Sequence, residues 1–195
     1  EASALAKLHH PNIVAFYGVV LHAQHAFIVT EFVSTSLDAH VYTHRARGLP
    51  VRDYGALALG IARGLAFLHA RGTAHRDVKP SNVLVAPRNV AKLCDFGLSR
   101  NDDAAMNTCT AGVGTPAPPR RQRMALTDSF SFSMLLVAMW TTFPPFADTD
   151  SPNAPQAFTV MSKIAAGERP AVPQGMPPAL ADVVRTCWSQ RPEAR

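Results

Sequence analysis

The stretch His75-Arg76-Asp77-Val78-Lys79-Pro80-Ser81-Asn82, followed by Asp95-Phe96-Gly97, decides how this chain is read. The first segment is polar and holds Pro80, so it reads as a loop. Val83-Leu84-Val85 and Ala91-Lys92-Leu93 read as two short strands around a turn at Pro87-Arg88-Asn89. A hairpin returns the chain to where it left, so Asp95 can meet Asp77 and Asn82. Hard divalent cations such as magnesium take oxygen ligands and usually complete their shell with substrate phosphates. An Asp and an Asn among the three suit that role, and the second Asp is left to accept a proton. Together they form the minimum kit for moving a phosphoryl group to a hydroxyl. Lys79 falls on the same side of an extended loop as Asp77 and can steady charge on the transferred group. Gly97 supplies backbone freedom at the start of the segment that follows.

Outward from this centre the pattern is mixed helix and strand. Glu1 to His9 reads as a helix stopped by His10-Pro11-Asn12. Residues 13–20 and 27–33 are apolar, β-branched and aromatic, hence strands, with the turn over 21–26. Residues 37–45 look helical and end at Gly48-Leu49-Pro50. A longer helix covers 51–71, where Leu57, Ile61, Leu65 and Leu68 recur at helical spacing and Gly72 ends the run. Residues 101–123 lack usable periodicity and read as a long surface loop. Residues 127–142, 153–166 and 178–189 read as helices, the first of them buried.

Bulk composition excludes several classes. The chain has 195 residues, 47% hydrophobic and 17% charged, with a net charge of +5, an ordinary globular balance. Its tight basic cluster, Arg120, Arg121 and Arg123, lacks interleaved aromatics and reads as solvated surface, so no nucleic-acid partner is expected. Three widely spaced cysteines, Cys94, Cys109 and Cys187, offer no metal-ligand pair and no disulfide framework. Reduced thiols and a cytoplasmic location follow as the expectation. No segment is long and apolar enough for a membrane span, and the N-terminus has no signal-peptide layout.

His75-Arg76-Asp77 to Asn82, with Asp95-Phe96-Gly97 in that order and spacing, resembles the catalytic loop and metal-binding motif of eukaryotic protein kinases. The resemblance extends over nearly the whole chain. Glu1 with His10-Pro11-Asn12-Ile13-Val14 is similar to the second half of the small lobe, beginning at the regulatory-helix glutamate. Ile28-Val29-Thr30-Glu31-Phe32-Val33 resembles the gatekeeper and hinge. Gly114-Thr115 resembles the substrate-docking loop. Asp128 with Ser131-Phe132 resembles the central large-lobe helix, and Cys187-Trp188 through Arg191-Pro192 to Arg195 the closing helical segment.

The resemblance implies an α+β, two-lobe protein-kinase fold. A partial small lobe of one helix and two strands would cover 1–33, and a mainly helical large lobe 34–195. It implies that Asp77 orients and deprotonates the substrate hydroxyl, that Lys79 contacts the γ-phosphate, and that Asn82 and Asp95 hold Mg2+. Thr30 would be the gatekeeper, Glu31 and Val33 would hydrogen-bond adenine of ATP through their backbone, and Leu84 would floor the pocket. Arg76 would ground a phosphorylated residue, with Thr108 and Thr110 as candidates. Leu5, Phe16, His75, Phe96 and Asp128 would form the regulatory stack. Lys79 and Thr115 follow the serine/threonine pattern, and the tyrosine-kinase-like group of serine/threonine kinases is the nearest in resemblance. The implied partners are therefore ATP and a protein substrate presenting Ser or Thr.

Two departures accompany the match. No Gly-rich phosphate loop and no strand lysine stand ahead of Glu1, so a fragment of a longer chain is expected. The Ala-Pro-Glu expected after the docking loop is replaced by Pro116-Ala117-Pro118-Pro119-Arg120, with Pro119 where the glutamate would stand and Arg195 its expected partner. Two functions therefore stand at this level: an active serine/threonine kinase, or a kinase-like binding or scaffold module without turnover.

Overall fold

The computed structural model describes residues 6, 8–95, 120–147 and 157–189. Its elements in chain order are β1 (Phe16–His22), β2 (His25–Thr30), α1 (Leu37–Thr43), α2 (Val51–Ala70), β3 (Val83–Ala86), β4 (Val90–Leu93), α3 (Arg120–Thr141), α4 (Ala157–Ala165) and α5 (Pro178–Cys187). Single 3-10 turns, Pro80–Asn82 and Pro87–Asn89, flank β3. The architecture is α+β, as expected, with small sheets and five α-helices among the described residues.

Helix α2 is the spine. Leu57, Ile61, Leu65 and Leu68 form one buried stripe, as their spacing requires. On one side they meet β4, and on the other Leu135, Leu136 and Met139 of α3. Two glycines on α2 permit the β4 contact. A Cβ on Gly60 would lie 2.9 Å from Asn12 Nδ2, and one on Gly64 would lie 2.8 Å from both the Asn12 carbonyl oxygen and Leu93 Cδ1. Asn12 itself is buried and donates from Nδ2 to the Ala91 carbonyl at 2.9 Å. Backbone bonds from Leu93 N–H to Asn12 O and from Val14 N–H to Leu93 O, each 2.9 Å, fasten residues 12–14 beside β4.

That fastening corrects the strand boundaries. Residues 12–14 bond to β4, with Ile13 bridging Leu93 in parallel, so β1 starts at Phe16 rather than Ile13. β1 and β2 are antiparallel, closing at His22 opposite His25, and the turn is only Ala23 and Gln24. Ala23 takes φ 54°, the left-handed conformation such a tight turn needs. β2 stops at Thr30, and residues 31–33 leave the sheet.

A second correction concerns α3, which begins at Arg120 rather than at Thr127. Arg, Gln, Met, Ala and Leu all favour helix. Residues 120–123 lack the apolar periodicity that marks a helix in sequence, which is why they read as loop. The rest of that expected loop lies outside the described residues, as does most of the expected first helix. Among the described residues no helix is long and apolar enough to cross a membrane.

Candidate active site

Asp128 is the anchor of the loop that carries the motif. It projects from α3, is 1% exposed, and accepts three hydrogen bonds. His75 N–H donates to Oδ2 at 2.8 Å, Arg76 N–H to Oδ1 at 2.8 Å, and His69 Nε2 to Oδ2 at 2.7 Å. A buried carboxylate without partners would be very costly, and charge-assisted bonds are the strong ones that offset it. Arg76 sits at φ 69°. A non-glycine residue in that region is strained by about 1–3 kcal/mol and persists only where its surroundings hold it. The Asp128 fork is what holds it.

His75 is fully buried behind this fork. Burial holds its imidazole below the ordinary value of 6.5, and the nearby Asp128 and Asp77 charges only partly oppose that. The Asp77 N–H points at His75 Nδ1 at 3.4 Å, a long contact. The expected stack therefore has its His75 and Asp128 members joined. Phe16 lies on β1, half-buried, while Leu5 and Phe96 lie outside the described residues.

Of the expected chemistry-bearing side chains, Asp77, Lys79 and Asn82 meet. Lys79 Nζ lies 2.7 Å from Asp77 Oδ2, and Asn82 Nδ2 donates to the same oxygen at 2.8 Å and to the Asp77 carbonyl at 2.9 Å. The Lys79 hydrogen bond, helped by Asn82 and Lys79's charge against partial burial, holds the Asp77 carboxyl below the ordinary carboxylate range. Asp77 is 56% exposed. Its Oδ2 is occupied, which leaves Oδ1 to accept a proton from an incoming group.

Asn82, buried, staples the loop at both ends. Its N–H donates to Lys79 O and its carbonyl accepts from Cys94 N–H, each at 3.0 Å. That second bond sets Asp95 one residue from the loop. Asp95 is exposed and takes φ 57°, a strained conformation at a position expected to bind metal. Both amide hydrogens of Asn82 are spent on Asp77, so Oδ1 is the oxygen available to a cation. Asn82 and Asp95 thus offer hard oxygen donors, a set that fits magnesium completed by water and phosphate. Among the described residues no three His, Cys, Asp or Glu side chains cluster as metal ligands. Cys94, between these ligands, is an inert thiol: burial, then the Asp95 charge, pushes it up to about 11.

Of the expected adenine-binding residues, Leu84 lies on the β3–β4 hairpin and Glu31 contacts it. Thr30 ends β2 and is exposed, its hydroxyl 3.2 Å from the Glu31 carbonyl. Beyond it, Val85 N–H donates to Thr35 O at 2.8 Å, and Ser36 bridges Leu84. Glu31 reaches back to Lys92, which faces Leu84 across the β3–β4 ladder. Thr30, Glu31, Val33 and Leu84 do not border the cleft of about 680 Å³ beside the loop, which is lined by Lys79, Ser81, Met134, Phe143 and Ile164 among others. That apolar cleft lies between α1, α3 and α4.

His69 and Lys92 were missed by sequence reasoning. Their partners, Asp128 and Glu31, are distant in sequence, and no local spacing announces either contact. Glu1, Phe96, Gly97, Thr108, Thr110 and Thr115 lie outside the described residues.

A family model for protein tyrosine and serine/threonine kinases matches residues 1–195. The chain is similar to a serine/threonine/tyrosine-protein kinase of Arabidopsis thaliana, 32% identical over 202 residues, covering 100% of this chain and 50% of that protein. A serine/threonine-protein kinase of the same plant is 31% identical, covering 100% of this chain and 24% of its own length. Ephrin type-A receptor 8 of Mus musculus is 35% identical, covering 98% of this chain and 20% of the receptor. The chain thus spans half or less of the length of these relatives.

Proposed function

The chain belongs to the protein tyrosine and serine/threonine kinase family, and on that premise we propose that it transfers the γ-phosphate of ATP to a serine or threonine hydroxyl of a protein. The family implies ATP and a divalent metal. The observation that carries the reading is the triad at the loop: Asp77 held by Lys79 at 2.7 Å and Asn82 at 2.8 Å, with its other oxygen open. Asp77 Oδ1 accepts the hydroxyl proton. Lys79, already against Asp77, faces the charge that builds on the transferred group. Asn82 and Asp95 would hold the metal, which would supply positive charge to neutralise that on the phosphates. Glu31 and Val33 meet adenine through backbone groups, above Leu84. Substrate polypeptide runs through the apolar cleft that Lys79 and Ser81 border.

The preference for serine and threonine rests on Lys79 by resemblance and on relatives named as serine/threonine kinases. A relative named for tyrosine as well keeps the acceptor open to test. The test is transfer of labelled γ-phosphate by the full chain to serine, threonine and tyrosine peptides. Label on serine or threonine, lost about a hundredfold or more in Asp77→Asn, is the expected result. Label on tyrosine alone refutes the acceptor assignment. ATP binding without transfer to any peptide points instead to a kinase-like binding module.

A further inference from the structure

Lys92 stands on the outer face of β4, where a lysine would ordinarily reach into water. Here it is only 17% exposed, and its partner Glu31 only 21%. Nζ lies 2.7 Å from Glu31 Oε1. The same oxygen accepts from Ala15 N–H at 2.9 Å, and Glu31 N–H donates to Ala15 O at 2.8 Å. Burial works against the Glu31 charge, but the hydrogen bonds from Lys92 and Ala15 outweigh it and leave the carboxyl below the ordinary glutamate range. Such a pair gains little stability over apolar packing, because two charges must leave water. Its geometry is the more informative feature. Residues 31–36 are pinned at both ends: by Lys92 at Glu31, and by Val85 and Leu84 at Thr35 and Ser36. β4, which carries Lys92, leads within three residues to Asp95.

We propose that Lys92 is a positioning residue for the nucleotide: through Glu31 it fixes the backbone of residues 31–33 against the strand that delivers Asp95. One contact thereby sets the spacing between the adenine end and the metal end of the site. The role rests on the kinase reading, since it assigns the nucleotide to residues 31–33 and Asp95.

The test compares the full chain with Lys92→Met, which keeps the aliphatic stem, with Glu31→Gln, and with the double variant. Two readouts are taken: the KM and kcat for ATP, and amide hydrogen exchange residue by residue. Either single change raises KM for ATP about fivefold, the loss of roughly 1 kcal/mol, with kcat within about twofold. The amides of Ala15 and Glu31 exchange faster, while those of Ile61 and Leu65 in α2 do not change. The double variant loses no more than either single one, because both remove the same contact. Unchanged KM with unchanged exchange overturns the proposal. So does a rise in kcat, which would make the pair a restraint. If the unmodified chain takes no ATP, the kinase reading fails, and exchange at Ala15 and Glu31 still decides whether Lys92 holds this segment.

Discussion

The catalytic loop is mostly polar and the β1–β2 hairpin mostly apolar, yet the loop is the one held in place and the hairpin the one left in water. The loop is tied down from every side. Val78 and His75 are buried, Asn82 bonds at both ends, and Asp128 takes two consecutive backbone amides. The hairpin exposes both faces, with Tyr17 68%, Leu21 79% and Phe27 53% exposed, and is held at its base by residues 12–15 and 31–36. A region's contribution to stability follows how many of its groups are withdrawn from water and satisfied, not how hydrophobic it reads. The half of the site proposed for phosphoryl transfer carries its own support, and the half proposed for the nucleotide is tied to β3 and β4 at Glu31, Thr35 and Ser36.

This contrast gives an order of effects. The largest falls on Asp128. Asp128→Asn keeps the shape but sets an amide hydrogen against one of the two backbone N–H donors and removes the charge. Loss of about 3–5 kcal/mol of unfolding free energy is expected, measured by denaturant titration, together with loss of any transferase activity. A cost under 1 kcal/mol would mean that the fork does not hold the loop.

A smaller effect comes from pH. His75 is held neutral below its ordinary 6.5 by burial. The unfolded chain then binds that proton more readily than the folded one. Its contribution is therefore complete above about pH 6.5 and is lost as pH falls below that value toward the folded pKa. His10 and His40 are lowered in the same direction, both chiefly by burial. The melting temperature should decline on acidification from pH 7 to 5, and the His75 ring resonances should stay those of neutral imidazole at pH 6. Titration of His75 near 6.5 would show that the loop is solvated.

The smallest effect belongs to the hairpin. Leu21→Ser should change stability by less than about 0.5 kcal/mol, because the side chain is already in water. A loss above 1 kcal/mol would show that the hairpin is covered in solution and would remove the contrast.

The legible parts of the sequence were those written in local periodicity. Helix α2 follows from Leu57, Ile61, Leu65 and Leu68, and the β3–β4 hairpin from two apolar runs around Pro87-Arg88-Asn89. The meeting of Lys79 and Asn82 with Asp77 followed from their closeness along one loop. What escaped depends on contacts between distant residues. β1 begins late because Ile13 bridges Leu93, a choice made by β4 and not by residues 13–20. Helix α3 begins early because helix propensity at 120–126 outweighed the missing apolar stripe. His69 and Lys92 look like surface residues until Asp128 and Glu31 are placed beside them.

Phosphate transfer to a serine or threonine peptide by the full chain, beside Asp77→Asn measured at matched ATP occupancy, tests the central claim most directly. The account predicts transfer by the unmodified chain and a fall of about a hundredfold or more in the variant, with ATP affinity unchanged. Equal transfer by both would contradict the role given to Asp77 and, with it, the reading of the loop as the site of proton acceptance.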